Sequence, residues 1–357
     1  MPMHAAITGW GWHSPEKVLT NVDLEKMVHT TDAWIRRRTG IVERRIAGPG
    51  ETTSTMCVLA AQRALAEARL TADELDLVIC ATTTPDYLLP ATACLMQHRL
   101  GAEKAGAFDL NAACSGFLYG ISVAWQFIHA GTCKRILVAA GEVLSRFTNW
   151  EDRNTCILFG DGAAAVILEA TDQPAGVLST VLGSRGDVEG LLTIEGGGSA
   201  RPATAQTVAD GDHLVRMRGN EVFKMAVRNM VQACQEALSR AGLTLDGVRA
   251  VIPHQANHRI LLATQETLGL PPDRMYVNVD RYANTGASSL PIALGEYLEL
   301  HPGKPGDNYL LVAFGGGLTW AAAVVRWADI AAIRRARGDA AAPAKVAVPR
   351  AGKVVTR

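Results

Sequence analysis

The chain has 357 residues, enough for two or three domains or one large duplicated one, and 48% of them are hydrophobic, so neither a disordered nor a fibrous protein is in view. Lys plus Arg and Asp plus Glu number 35 each, so there is no global basic field to hold nucleic acid or an anionic membrane. Seven widely spaced cysteines, with no C-x-x-C pair, argue against a disulfide framework or a zinc site and read as reduced thiols.

The start, Met1-Pro-Met-His-Ala-Ala-Ile, has no basic segment followed by an apolar one, which predicts a cytoplasmic protein without a secretory signal. Apolar residues at three- and four-residue spacing predict a helix over 54–68. Its end belongs to a repeat: residues 64–79 (ALAEARLTADELDLVI) align without a gap on 237–252 (ALSRAGLTLDGVRAVI), with eight identities. Each copy reads as a helix end, a Leu-Thr turn and a β-branched buried strand. No charged residue occurs between Leu110 and Lys134, a length that could span a bilayer. Asn111, Ser115, Gln126, His129 and the glycines there favour a helix over 115–130 buried inside a large protein, and no membrane association is expected. A second internal match follows, Phe159-Gly-Asp-Gly before AAAVIL against Phe314-Gly-Gly-Gly and, three residues later, AAAVV. Two matches in the same order predict two related α/β halves, 1–176 and 177–327, related by a pseudo-twofold and joined at the turn-rich 171–176. Further helices are expected over 220–241 and 288–300, and a surface loop over 195–212. The last segment, 328–357, carries seven basic residues against Asp329 and Asp339, a net +5 that leaves −5 on the body. Rich in Ala, Pro and Lys, it is expected to be disordered beyond a short helix through Arg337, and dispensable.

Four places carry candidate chemistry. Cys114 stands in Phe108-Asp-Leu-Asn-Ala-Ala-Cys-Ser-Gly-Phe, where a strand ends and a long helix begins. A thiol at a helix N-terminus faces unpaired N–H groups, which is expected to favour the thiolate; the competing reading is a small buried hydrophobe, as expected for Cys57, Cys80, Cys133 and Cys234. His254, in Val251-Ile-Pro-His-Gln-Ala-Asn-His, follows the repeated strand on a loop opening the next helix. His254 and His258 are four apart but lack a third ligand, so a hydrogen-bonding or acid–base role is expected and no metal. Asn284, in Asp280-Arg-Tyr-Ala-Asn-Thr-Gly-Ala-Ser-Ser, sits near where the duplication puts the counterpart of Cys114, after an expected strand; the competing reading is a helix cap. The turn Phe314-Gly-Gly-Gly-Leu-Thr-Trp offers bare N–H groups to an oxyanion.

Through Asn-Ala-Ala-Cys-Ser-Gly-Phe, Pro-His-Gln-Ala-Asn, Asn-Thr-Gly-Ala-Ser-Ser and Phe-Gly-Gly-Gly-Leu-Thr-Trp, with Thr31-Asp-Ala-Trp-Ile-Arg-Arg-Arg-Thr-Gly-Ile and Phe159-Gly-Asp-Gly-Ala, the chain resembles the β-ketoacyl-acyl carrier protein synthase III family of the thiolase superfamily over essentially all of 1–327. The resemblance implies a five-layered αβαβα thiolase-like α/β fold, a homodimer, and Cys114, His254 and Asn284 as a catalytic triad. It also implies Trp34 and Arg153 around the adenine of coenzyme A and Arg38 at its phosphates; a planar guanidinium over an aromatic ring suits a purine. Asn220, Ala256 and Asn257 resemble positions along the pantetheine channel, and Gly316 the donor that joins the Cys114 N–H in an oxyanion hole. Lys224 and Arg259 resemble the basic patch that meets acyl carrier protein. Leu89, in Asp86-Tyr-Leu-Leu-Pro, stands where the family often has an aromatic gate to the partner's acyl pocket, which leaves the primer length open.

The activity so implied is decarboxylative Claisen condensation of an acyl-CoA primer with malonyl-acyl carrier protein, starting fatty acid synthesis. No metal or cofactor is implied beyond coenzyme A and phosphopantetheine as parts of the substrates. The nearest alternative is a secondary-metabolism condensing enzyme or acyltransferase on the same fold. A thioester hydrolase using Cys114 and His254 is a second, but it leaves Asn284 and Trp34 without a role.

Overall fold

The computed structural model describes residues 3–339. Its first half runs β1 (His4–His13), β2 (Val18–Thr20), α1 (Asn21–Leu24), α2 (Asp32–Thr39), β3 (Glu43–Arg45), α3 (Thr53–Ala68), β4 (Leu77–Ala81), α4 (Thr92–Leu100), β5 (Gly106–Leu110), α5 (Gly116–His129), β6 (Arg135–Val143) and β7 (Asp161–Thr171). The second runs β8 (Gly176–Ser184), β9 (Leu192–Thr193), α6 (Ala205–Ala209), β10 (Arg216–Met217), α7 (Gly219–Arg240), β11 (Ala250–Pro253), α8 (His258–Leu268), α9 (Val279–Tyr282), α10 (Ser289–Leu300), β12 (Asn308–Gly315), β13 (Thr319–Arg326) and α11 (Ile330–Arg337).

Two main sheets result, in the orders β1-β7-β6-β4-β5 and β8-β13-β12-β11. Over their first four strands these are the same sheet: in each, the first two pairs are antiparallel and the next, β6 with β4 or β12 with β11, which brings in the repeated segment, is parallel. The fifth position, filled by β5 in the first sheet, shrinks in the second to one parallel bridge, Val251 to Met275. The duplication read from two short stretches thus extends through the whole fold.

Strands such as β4 are buried along their full length because both faces of each sheet are covered. Between the sheets lie α5 and α10, whose Phe117, Ile121, Leu290 and Leu294 share one core with Ile79 and Val138 of one sheet and Ile252 and Leu311 of the other. Outside them lie α3 and α4 on one side and α7 and α8 on the other, each with its own core. The order is αβαβα, five layers, as the resemblance implies. Close contact of α3 with β1 depends on Gly9 and Gly11: a Cβ there would fall 2.1 Å from the Ala64 carbonyl oxygen and 2.4 Å from that of Ala60.

The uncharged stretch after Leu110 forms α5, and no helix among the described residues is long and apolar enough to cross a membrane. Two expectations need correction. The segment 195–212 is not all loop, because Thr204 caps the short helix α6. No strand precedes Asn284; α9, one helical turn, does, since Asn278 to Tyr282 are held by side-chain bonds rather than a ladder. In the last segment the short helix expected through Arg337 forms as α11, and it is docked on the body. Asp329 caps α11, Ile333 is buried with Ala6, Ala175 and Ala328, and Arg337 pairs with Glu169 at 3.0 Å. Arg337 also donates to the carbonyls of Ala68 and Arg69, and Arg334 to that of Glu67, so the two arginines satisfy the end of α3. Residues 340–357, the rest of the expected disorder, lie outside the described residues.

Candidate active site

Cys114 is delivered by the end of β5. The chain turns through Ala113, whose φ of +47° lies in the left-handed region, and passes a single 3-10 turn (Ala113–Ser115) before α5 begins. Such a backbone is costly for a residue with a Cβ and persists only where its surroundings fix it. The other half supplies that fixing: Thr319 Oγ1 donates to the Ala112 carbonyl at 2.7 Å, and a Cβ on Gly315 would lie 2.5 Å from the Cys114 nitrogen, so β12 touches the Cys114 backbone directly.

The surroundings of Cys114 oppose the expected thiolate. Burial, reinforced by the nearby Glu142 carboxylate, pushes the Cys114 thiol up to about 12, against the opposing pull of the Cys114 and Gly316 backbone N–H groups. Desolvation outweighs the helix terminus at this half-buried thiol, which favours its neutral form. Those same two N–H groups are the pair expected for the oxyanion hole.

His254 follows β11 and is buried, its N–H bonded to the Val312 carbonyl at 2.8 Å. Burial lowers its pKa to about 3, so the ring is neutral. Its Nδ1 lies 2.5 Å from Ser289 Oγ, which also accepts the Gln255 N–H at 3.1 Å. Gln255 donates to Oγ, and Nδ1 is the acceptor at hand for the Ser289 hydroxyl proton, an arrangement that favours the ring proton on Nε2.

Asn284 is buried beside the strand region before β7, with its N–H on the Leu158 carbonyl at 2.9 Å and its own carbonyl accepting from Gly160 at 3.0 Å. Its side-chain Oδ1 accepts the Gly286 N–H at 2.9 Å. This is an Asx-type turn rather than the helix cap of the competing reading, since Thr285 and Ser288 occupy the cap positions that follow, and it commits Oδ1 to the loop, so the N–H2 is the end available to a substrate oxygen. The turn that follows Asn284 (Gly286–Ser288) packs on the turn carrying Cys114.

A group that sequence reading missed joins the two. Glu142, fully buried at the end of β6, accepts from Thr83 N–H and Oγ1 and from Thr84 Oγ1 at 3.0, 2.9 and 2.6 Å, and abuts Gly286. Burial raises its pKa to about 7, against those hydrogen bonds. The available signal was a single carboxylate in the otherwise uncharged run after Arg135. Ser289 was missed as well, hidden within a stretch read as small turn residues.

The expected coenzyme A contacts gather at one mouth. The Arg153 and Arg38 guanidiniums lie 5.1 and 5.6 Å from the Trp34 ring centre, and Arg153 also donates to the His29 carbonyl. Asn257 caps α8 through the Arg259 N–H and reaches the Arg38 carbonyl at 3.4 Å, so α2 and α8 meet there; Ala256 precedes it and Asn220 is exposed at the start of α7. Arg259 stacks on Phe223, beside exposed Lys224. Leu89 stands apart from this mouth, 86% exposed beside Tyr87 and Leu88, on a loop tied down by Asp86 through Thr52 and Ser54. Among the described residues no three His, Cys, Asp or Glu side chains are grouped to hold a metal.

The family model for 3-oxoacyl-[acyl-carrier-protein (ACP)] synthase III matches residues 108–186, and its C-terminal counterpart matches 238–327. The beta-ketoacyl-[acyl-carrier-protein] synthase III of Roseiflexus castenholzii is 54% identical over 92% of this chain and 99% of its own. That of Desulfitobacterium hafniense is 53% identical over 90% and 97%. Among solved structures, 3-oxoacyl-[acyl-carrier-protein] synthase III from Aquifex aeolicus is 46% identical with a TM-score of 0.84, covering 90% of this chain and 100% of its own. The priming β-ketosynthase of the R1128 polyketide pathway is 34% identical with a TM-score of 0.85, covering 92% and 97%.

Proposed function

This chain belongs to the beta-ketoacyl-[acyl-carrier-protein] synthase III family, and on that premise we propose that Cys114, His254 and Asn284 are its catalytic residues. The enzyme is an acyltransferase that condenses an acyl-CoA primer with malonyl-acyl carrier protein to start fatty acid synthesis. Membership leaves the hydrolase alternative without support.

In the first half-reaction Cys114 Sγ bonds to the primer carbonyl carbon, the bond to the coenzyme A sulfur breaks, and the thiol proton leaves with coenzyme A. The Cys114 and Gly316 N–H groups hold the transient oxyanion. Because the resting thiol is neutral, proton loss accompanies attack rather than preceding it. In the second, the malonyl carboxylate leaves as carbon dioxide and its electron pair passes into an enolate. His254 Nε2–H and Asn284 Nδ2–H donate to the enolate oxygen, each such donor contributing about 3–4 kcal/mol. The enolate carbon attacks the acyl group on Cys114, and the released sulfur regains a proton.

The observation that carries this reading is the neutral His254, its proton directed to Nε2 by Ser289: a buried ring that donates without being a cation suits an oxygen gaining charge. Acylation of Cys114 by acyl-CoA, read by mass, followed by carbon dioxide release from malonyl-acyl carrier protein, tests it. Trp34, Arg153, Arg38, Asn220, Ala256 and Asn257 fit the coenzyme A and pantetheine path, and Lys224 with Arg259 the carrier-protein contact. Tyr87, Leu88 and Leu89, exposed together, fit a second copy of the chain, with Leu89 entering the partner's acyl pocket. Halves meeting at 176 and 177 and a cytoplasmic setting suit the same reading. The likeness to a polyketide priming enzyme bears on the primer, which a panel of acyl-CoAs of rising length would identify.

A further inference from the structure

Glu296 of α10 is buried and gathers four side chains from the segment leading to Asn284. It accepts from Tyr276 Oη at 2.9 Å, Asn278 Nδ2 at 2.8 Å, Arg281 through both terminal nitrogens at 2.5 and 3.0 Å, and Tyr282 Oη at 3.1 Å. The last two lie three and two residues before Asn284. On the other side, Asn284 is itself pinned by its two backbone bonds to Leu158 and Gly160. A Cβ on Gly160 would fall 2.6 Å from the Tyr282 carbonyl oxygen, so the two anchor points are tightly apposed. Ala283 alone must connect them, and it does so at φ +58°, ψ −158°, a region occupied essentially by glycine.

We propose that Glu296 is a positioning residue for Asn284: its clamp on Arg281 and Tyr282 holds the strained Ala283 peptide and thereby aims the Asn284 carboxamide at the substrate. The inference rests on the assignment of Asn284 to decarboxylation. Glu296 is 2% exposed, so its effect passes through the backbone. A residue at Ala283 that finds this backbone comfortable needs no clamp, and that gives the proposal a signature that general destabilisation lacks.

The test measures carbon dioxide release from malonyl-acyl carrier protein and acyl transfer to Cys114 separately. Glu296→Gln, and Tyr282→Phe as a milder variant that keeps the ring, are expected to slow decarboxylation about tenfold while sparing acyl transfer, the scale of coupling between contacting residues. In the Ala283→Gly background the same changes are expected to cost less than about threefold. Equal losses in both backgrounds, or equal losses of both half-reactions, would overturn the clamp. Asn284→Ala separates the two claims. If it loses decarboxylation while Glu296→Gln and Tyr282→Phe keep it, only the clamp is wrong; if it decarboxylates normally, the Asn284 assignment fails and the clamp with it.

Discussion

Ser289 Oγ lies 2.5 Å from His254 Nδ1 while accepting the N–H of Gln255, so one hydroxyl both reads the backbone and sets the imidazole tautomer. Removing it leaves Nδ1 without a donor and lets the ring proton move to the wrong nitrogen. Ser289→Ala is expected to lower decarboxylation about 10- to 100-fold, somewhat less than loss of a direct donor, with acyl transfer to Cys114 retained. Decarboxylation at the wild-type rate would show that the tautomer is set by something else.

The Cys114 thiol titrates high because burial penalises its anion. A raised acid stays protonated well above neutrality, so alkylation of the resting enzyme by iodoacetamide should quicken about tenfold per pH unit from about pH 7 to 9 with no plateau. Mass-resolved labelling of Cys114 over that range reads it directly. A plateau near neutrality would mean a preformed thiolate.

The helices over 54–68, 115–130, 220–241 and 288–300 were legible because their apolar spacing is regular, and the structure places them within a residue or two of those bounds. The duplication was legible because both copies keep the same helix–turn–strand pattern. What the sequence hides is long-range pairing. Nothing local to Ala113 or Ala283 shows that the residues before Cys114 and Asn284 both take positive φ, because the constraint comes from the opposite half. Glu142 and Ser289 were hidden for the same reason: their roles rest on partners 58 and 35 residues away. The thiolate expectation failed on energetics, since a helix terminus can be read from spacing but the depth of burial cannot.

The tail expected to be dispensable begins with a helix that is docked on the body. Truncation after Trp327 removes the Ile333 anchor and the arginines on α3, and one buried Ile contributes about 1.5–3 kcal/mol. With about 2–4 °C per kcal/mol for larger domains, Tm is expected to fall by several degrees. Truncation after Asp339, which keeps these contacts, is the control. An unchanged Tm in the shorter chain would show that α11 adds nothing.

Leu88 and Leu89 are 88% and 86% exposed on one chain, more than an isolated surface loop of their kind explains. On the proposed packing against a second copy, Leu88→Asp with Leu89→Asp is expected to shift sedimentation from dimer to monomer. Leu89→Phe should leave the dimer intact and discriminate against long primers by about 1–3 kcal/mol, the scale of a steric change in an apolar pocket. Equal effects on acetyl and octanoyl primers would remove Leu89 from that pocket.

The central claim divides the chemistry between Cys114 and the His254–Asn284 pair, and measuring both half-reactions on the same four variants tests it most directly. His254→Ala and Asn284→Ala should still take an acyl group from acyl-CoA yet lose malonyl decarboxylation, and the double variant should be little worse than either, because the donors act on one oxygen. Cys114→Ala should lose acyl transfer while retaining decarboxylation. Condensation by Cys114→Ala, or loss of acylation with intact decarboxylation in His254→Ala, would contradict the assignment.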